Sequence, residues 1–549
     1  MKNVSAFLFL LLTILLISPR FASAAEPTYG GTLREHEEAN PPKLDPHQAT
    51  DTASARVIYG IFENLVVNSH DGQTIEPWLA ERWEASADGR TWTFHLRRDV
   101  RFHRTTEGGR PTANGGRAVT AKDWKWSFER MIRDNSPRAY FVDCIAGYDE
   151  MAAGAADQWN GIEALDDHTL RFTLKEPFAP FLSVLAYNSF VVIPREDAEK
   201  WGRDFNFHPV GTGPFVLEEW KQDQHVTLAR NPDYWRRDAA GRKIPYLDRW
   251  QLVVIPDKTV AWEEFKVGNL DVMRDIPDHL VRDARSLLGE NLHEAPQPGT
   301  YFYGFNLAQK PFKDNRKLRQ ALNYAVDRTL INELILDGLF FPAKGVLPPS
   351  IPGYDPDLAG YAYDPAKARA LMREAGFPKG FEATLQVNQN ARHKAIAEAI
   401  QAQVAELDIR LRIHVVDWGV HLDMLDRGEC EIFRMGWAVD YLDPDNFLYV
   451  NLHSDNFGQK GNYSFYRNDA VDRLLQQGRS ETDPTQRIAL YREAERIVVD
   501  DAPWLFLFHY YNNLATRKRV RGATLPAFGN FTARMDEVWL DDARAAGDR

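Results

Sequence analysis

The chain has 549 residues, 44% of them hydrophobic, with 66 Lys and Arg against 78 Asp and Glu for a formal net charge of −12. That length is too great for a single hydrophobic core, so several lobes are expected. The acidic balance argues against nucleic acid and anionic lipid as partners, and well-mixed charges with ample apolar residues exclude a disordered chain.

The first 24 residues read as a cleavable signal peptide. Lys2 supplies a positive start, Ala6 to Ile17 is an apolar run too short to span a bilayer, and Ala22-Ser23-Ala24 is a small-residue cleavage site. No Cys follows the run, so no lipid anchor is expected there. No later segment holds enough uninterrupted apolar residues for a transmembrane helix. The expectation is an exported, soluble protein of a bacterial periplasm.

Next comes a strand-like start, Tyr29 to Leu33, then a Pro-rich turn from Asn40 to Pro46 and a helical stretch reaching Phe62-Glu-Asn-Leu65. Thr91 to Leu96 alternates with period two, placing Trp92, Phe94 and Leu96 on one face. Gly108, Gly109, Gly115 and Gly116 mark a loop before a helix at Thr120, where Thr120 and Asp123 have capping-box spacing and Trp124, Phe128 and Met131 form the core stripe. From about Pro194 the pattern changes to strands: Phe215 to Trp220 behind the turn Gly211-Thr-Gly-Pro, then His225 to Ala229 and Leu252 to Ile255.

A third section begins near Thr300. Strand Tyr301 to Asn306 precedes a helix from about Asp314 to Asp337, with Leu318, Ala321, Leu322 and Ala325 on one face. Asp364-Pro365 opens a helix that Gly376 closes, Lys394 to Leu407 is amphipathic, and Ile409 to Val415 alternates with Ile409, Leu411, Ile413 and Val415 inward. Asp483-Pro484 opens a helix to about Val499. Strands alternating with helices imply an α/β lobe.

The most informative segment is Gly436-Trp-Ala-Val-Asp440-Tyr-Leu-Asp-Pro-Asp-Asn-Phe-Leu448. Asp443 is a good N-cap and Pro444 suits the first helical position, so Asp443 and Asp445 read as local helix-start residues. Asp440 is left without a local duty between Trp437 and Tyr441. It reads either as a turn residue or as a carboxylate for a ligand's ammonium group, which neighbouring aromatics would shield from water.

Signs of catalysis are lacking. No Gly-x-Ser-x-Gly elbow and no Walker sequence occurs; His293-Glu294 begins a zincin-like pattern, but Gln297 stands in place of the second His. Gly211-x-Gly213 continues to Val216 and a strand, without the helix that would receive a pyrophosphate. Carboxylate pairs such as Asp443 and Asp445 are abundant by chance among 78 acids. The only cysteines are Cys144 and Cys430, and both a disulfide and two buried thiols stay open.

An ordered series of segments carries a family resemblance: Leu44-Asp-Pro46, Phe62-Glu-Asn-Leu65, Pro77-Trp-Leu-Ala-Glu-Arg-Trp83, Trp92 to Arg97, Val119-Thr-Ala-Lys-Asp123, Pro209 to Phe215, Arg230-Asn-Pro-Asp-Tyr-Trp235, Arg319-Gln-Ala-Leu322 with Asp327-Arg328, Gly436-Trp437 and Asp443-Pro-Asp-Asn-Phe447. With them the chain resembles, over nearly its whole mature length, the periplasmic solute-binding proteins of peptide and oligopeptide ABC transporters. The resemblance implies a two-lobed α/β (Venus-flytrap) fold with an extra domain inserted in lobe one. It divides the chain into lobe one (25–66, 194–299 and 513–549), the inserted domain (67–193) and lobe two (300–512). It implies a peptide ligand, a membrane permease with its ATPases as partners, a monomer, no cofactor and no catalysis.

The resemblance also implies site residues. Asp440, three residues after Trp437, takes the ligand's α-ammonium, and Tyr441 flanks it. Trp418, 22 residues before Asp440, lines a side-chain pocket. Gly436 and Ala438 offer main-chain groups to an extended peptide, and Thr50 and Thr52 belong to the opposite wall. Dipeptide-specific relatives carry an Arg before the Asn-Ala-Arg segment to clamp the ligand carboxylate. Here Leu385 to Ala391 has none before Arg392, so longer peptides are favoured over strict dipeptides. The same fold also hosts oligosaccharide, opine and nickel-chelate ligands, which stay as alternatives; an exported hydrolase or a chaperone is a remoter one.

Overall fold

The computed structural model describes residues 26–527 and 534–541; the expected signal peptide lies outside them. One eleven-stranded sheet runs through the molecule. Its order is Phe215–Lys221, His225–Arg230, Arg249–Val254, Thr32–Glu37, Val272–Arg274, Trp504–Thr516, Leu292–Phe305, Ile432–Ala438, Glu382–Asn388 and Arg410–Val416, with the short strand Phe341–Pro342 beside Trp504–Thr516. Strands Leu292–Phe305 and Trp504–Thr516 are the longest, pair antiparallel, and lose register between Pro296 and Thr300. They link the two ends of the sheet, and the break kinks the pair locally.

Buried side chains fall into separate clusters around this sheet. One is built from residues between Leu33 and Phe62, Val191 and Val272, and Leu514 and Leu540, and is called the first lobe below. A second spans Leu65 to Val192 around the four-stranded sheet of Ala80–Ala85, Thr91–Leu96, Thr169–Thr173 and Ile162–Asp166; it is called the inserted domain. Two more, from Tyr301 to Phe508, flank the other end of the large sheet and form the second lobe.

Local signals account for many elements. Thr91–Leu96 buries Trp92, Phe94 and Leu96, and helix Ala121–Arg133 starts with the Thr120/Asp123 capping box and buries Trp124, Phe128 and Met131. In the second lobe, Glu382–Asn388 lies parallel to both Arg410–Val416 and Ile432–Ala438, and helices Ala391–Ala405 and Trp418–Asp426 make the crossovers. Gly211 and Gly213 pack against the end of helix Thr52–Ile61. A Cβ on Gly211 would lie 2.1 Å from the Ile61 carbonyl oxygen, so close approach, not phosphate binding, explains this pair.

Two expectations need correction, and the choice left open for the cysteines is resolved. The helix expected over about 314–337 is two helices, Arg316–Ala325 and Arg328–Ile335, because the Asp327 carboxylate caps the second by accepting from the Leu330 N–H. Val415 is 41% exposed, since Arg410–Val416 is the outermost strand of the sheet and its end is uncovered. Cys144 and Cys430 are free thiols. They sit in different clusters, the inserted domain and the second lobe, and burial pushes each up to about 12.

Glu63 joins the first lobe to the inserted domain. Its buried carboxylate accepts from Trp78 Nε1 at 2.9 Å, Tyr234 Oη at 3.0 Å and Trp235 Nε1 at 3.1 Å. Burial pushes its pKa up from 4.5 to about 7, against these hydrogen bonds. A raised acid pKa means the folded chain holds a proton that the unfolded chain releases first. This group's contribution is therefore full below about pH 4.5 and is lost as pH rises through about 7. Glu63→Gln mimics the protonated form. We expect the variant to gain on the parent by on the order of 3 kcal/mol between pH 5 and pH 8 in thermal or urea unfolding. Parallel pH profiles for the two proteins would refute it.

Candidate functional site

The second-lobe strand Ile432–Ala438 pairs along its whole length with Leu292–Phe305, Gly436 facing Tyr301, Trp437 facing Thr300 and Ala438 facing Gly299. On its other edge Glu382–Asn388 pairs only with Ile432 and Phe433. From Arg434 onward that edge is open. The Val439 N–H donates back to the Pro298 carbonyl, whereas the Arg434 carbonyl meets His421 Nε2 at 2.9 Å on the open side. By the alternation of a ladder, Gly436 and Ala438 turn their peptide groups to the same open edge. Gly436 must lack a side chain, because a Cβ would lie 2.1 Å from Tyr510 Oη.

Asp440 follows directly and is half-buried. Asn446 positions it: its Oδ1 accepts from the Asp440 N–H at 2.9 Å and from Trp437 Nε1 at 3.2 Å, and its Nδ2 donates to Asp440 Oδ2 at 3.3 Å. Asn446 comes from helix Pro444–Leu452, whose N-cap is Asp443 with Pro444 first, so the helix start sets the turn that carries Asp440. Burial raises the Asp440 pKa, opposed by the Asn446 hydrogen bond and the nearby Arg138 charge. Among the described residues no cation lies within ion-pair distance of Asp440.

The surroundings of Asp440 are aromatic, but the rings differ from those its sequence neighbours suggested. Tyr441 turns away: its hydroxyl donates to Asp445 Oδ2 at 2.9 Å and its ring meets Phe141 edge-on at 6.2 Å. Tyr140 and Tyr187 of the inserted domain feel the Asp440 charge instead. Arg138 lies over the Tyr187 ring at 5.6 Å and donates to the Thr50 carbonyl at 3.3 Å. Thr50 and Thr52 are exposed at the start of helix Thr52–Ile61, with Asp51 as its N-cap. Trp418 opens helix Trp418–Asp426, stacks on His421 at 5.6 Å and is 45% exposed, so in this conformation it is uncovered.

A cationic group went unnoticed in the sequence. Arg434, on the same strand as Gly436, lies over the Tyr301 ring at 4.7 Å and donates to Asn388 Oδ1 at 3.4 Å; its Nε is buried without a partner. His393 meets Tyr301 Oη at 3.1 Å; burial, with the Arg434 and Arg392 charges, pushes it down to about 3, so it is neutral. No acid lies within ion-pair distance of Arg434 among the described residues. Only tertiary structure makes it visible, because in sequence it is one of many arginines.

No helix among the described residues is long and apolar enough to cross a membrane, and no group of three or more His, Cys, Asp or Glu among them could hold a metal ion.

The chain is similar over most of its length to several known proteins. Heme-binding protein A of Haemophilus influenzae is 34% identical over 490 residues, covering 87% of this chain and 86% of the relative. The ABC transporter-associated periplasmic binding protein DppA of Helicobacter pylori, in complex with the peptide STSA, is 30% identical, covers 93% of this chain and 98% of its own, and superposes with a TM-score of 0.69. The periplasmic murein tripeptide-binding protein MppA in its unliganded open form is 27% identical, covers 94% and 99%, and reaches 0.81. The two-lobed fold is thus shared. Residues 74–459 match the family model of bacterial extracellular solute-binding proteins, family 5, and the chain belongs to this family.

Proposed function

We propose that this protein is the periplasmic receptor of an ABC importer and captures peptides, oligopeptides in preference to strict dipeptides. The observation that carries the reading is Asp440, a partly desolvated carboxylate at the end of an open strand edge with no cation at ion-pair distance among the described residues. A peptide's ammonium supplies the missing charge, and its backbone extends the sheet through Gly436 and Ala438. Arg434, six residues earlier, supplies a cation for the far carboxylate. A strand rises about 3.3 Å per residue, so the two positions lie up to about 20 Å apart along the edge, a span that favours an extended peptide longer than a dipeptide. Trp418, Thr50 and Thr52 then become walls on closure, with bridging water keeping selectivity low.

Lobe boundaries at 25–66, 194–299 and 513–549 for the first, 67–193 for the inserted domain and 300–512 for the second are part of this reading. The separation of the buried clusters supports them. So is delivery by a monomer to a permease and its ATPases, with no chemistry performed on the cargo.

Titration calorimetry with tri- to pentapeptides tests the reading. Free-amine peptides are expected to bind and their N-acetyl forms to bind at least tenfold more weakly, because acetylation removes the charge that Asp440 meets. Equal affinity for both forms would sink the peptide assignment. The likeness to a heme-binding protein makes heme the second reading: Arg434 would suit a propionate, whereas Asp440 would oppose one. A Soret titration saturating with heme while peptides fail to bind would select it.

A further inference from the structure

The cationic wall around Arg434 is bridged to helix Asp278–Leu288, whose Val281 and Ala284 pack with Trp262, Phe265 and Leu339. Arg392, second residue of helix Ala391–Ala405, forms an ion pair with Asp278, first residue of helix Asp278–Leu288. The Arg392 guanidinium lies over Phe340 at 5.7 Å, and Phe340 meets Tyr510 edge-on at 6.1 Å. Tyr510 is the residue whose hydroxyl fills the space beside Gly436. Arg392 and Arg434 both act on Tyr510 and on His393, so the two guanidinium groups share one electrostatic neighbourhood. Helix Asp278–Leu288 makes a second ion pair with the segment that follows helix Arg328–Ile335, Arg282 to Asp337 at 3.7 Å.

We propose that Asp278 is an intramolecular stand-in for the cargo's carboxylate. It neutralises Arg392 while the cleft lacks a ligand and is displaced when the anionic end of a peptide enters. The inference rests on the peptide reading above. Its physical basis is charge balance. Arg434 and Arg392 lie on either side of His393, which is neutral, and Asp278 is the carboxylate that pairs with Arg392 from a separate helix. An incoming carboxylate makes Asp278 a like charge, and one guanidinium cannot serve both at full strength. Asp278 thus lowers affinity for cargo with a free C-terminus and leaves cargo without one unaffected. It is a specificity residue that touches no ligand.

The test compares the parent with Asp278→Asn, using tetra-alanine with a free C-terminus and tetra-alanine amide, both with free amines. Asp283→Asn, on the same helix, controls for net charge. The acid form is expected to bind about two- to fivefold tighter to Asp278→Asn, the range an exposed ion pair supports, with the amide unchanged and Asp283→Asn equal to the parent. A further sign is loss of the gain at 1 M salt, where exposed pairs are screened. Weaker or unchanged acid binding in Asp278→Asn, an equal gain for acid and amide, or the same gain in Asp283→Asn overturns the inference and leaves the peptide reading standing. A parent that binds neither probe overturns both.

Discussion

Replacing Asp440 with Ala is expected to weaken binding of a free-amine peptide by about 2–5 kcal/mol, the range measured when one partner of a buried charge pair is truncated. In the unliganded protein the carboxylate bears a desolvation cost that only partial compensation from Asn446 and Arg138 offsets. An ammonium group removes the deficit, and closure of the lobes strengthens the pair by excluding water. The variant should therefore lose its discrimination between free and N-acetylated peptide, since the ammonium of the free form no longer finds a partner. Binding also acquires a pH signature. Burial raises the Asp440 pKa, so protonation competes with the ammonium at a higher pH than for an ordinary carboxylate. Affinity should hold at neutral pH and fall as pH drops through the raised value; in Asp440→Ala that fall should be absent. Calorimetry across pH 4 to 8 reads both effects. Unchanged affinity in the variant would remove Asp440 from the site.

What the sequence made legible was local. Alternation at Thr91–Leu96, the capping box at Thr120 and the Asp-Pro starts at Asp364, Asp443 and Asp483 depend on neighbours within a few residues, and each element stands where that chemistry puts it. The family was legible because its segments occur in a fixed order along the whole chain. What stayed hidden depends on contacts between distant segments. Trp437 and Tyr441 were natural partners for Asp440 by adjacency. Yet Trp437 gives its indole N–H to Asn446, Tyr441 gives its hydroxyl to Asp445, and the rings that feel the Asp440 charge come from residues 140 and 187. Arg434, the neighbours Arg392 and His393, and Asp278 lie on three elements that only the fold brings together. The break at Val326 was missed for a related reason: helical periodicity continues across it, while Asp327 caps a new helix and the buried Arg328 donates to the Asn323 and Tyr361 carbonyls.

Asp445 shows how far such hidden contacts reach, and its replacement by Ala should carry the largest stability cost among these predictions. Read locally it is a helix-start acid. In the fold it is fully buried, accepting from Tyr441 Oη at 2.9 Å and Tyr491 Oη at 3.1 Å and pairing with Arg479 Nε at 3.3 Å. Its neighbour Asp443 is held by both terminal nitrogens of Arg487, at 2.6 and 2.8 Å. Asp445→Ala strips the carboxylate from Arg479 and leaves two hydroxyls without their acceptor, so unfolding free energy should fall by about 3–5 kcal/mol. Arg479 also lies over Phe178 at 4.9 Å, and its carbonyl accepts from the Ala179 N–H at 2.6 Å, which ties the second lobe to the inserted domain. Loss of Asp445 should therefore loosen that seam and free Tyr441 from Phe141. The turn bearing Asp440 is still held by Asn446, so peptide affinity should drop less than in Asp440→Ala. The two variants thus separate: Asp440→Ala loses binding with little change in stability, and Asp445→Ala loses stability with a smaller change in binding. Thermal unfolding and peptide calorimetry on both, the latter well below each midpoint, check the crossing pattern. A full loss of binding in a folded Asp445→Ala would instead place the carboxylate of Asp445, not only that of Asp440, among the groups that meet the cargo.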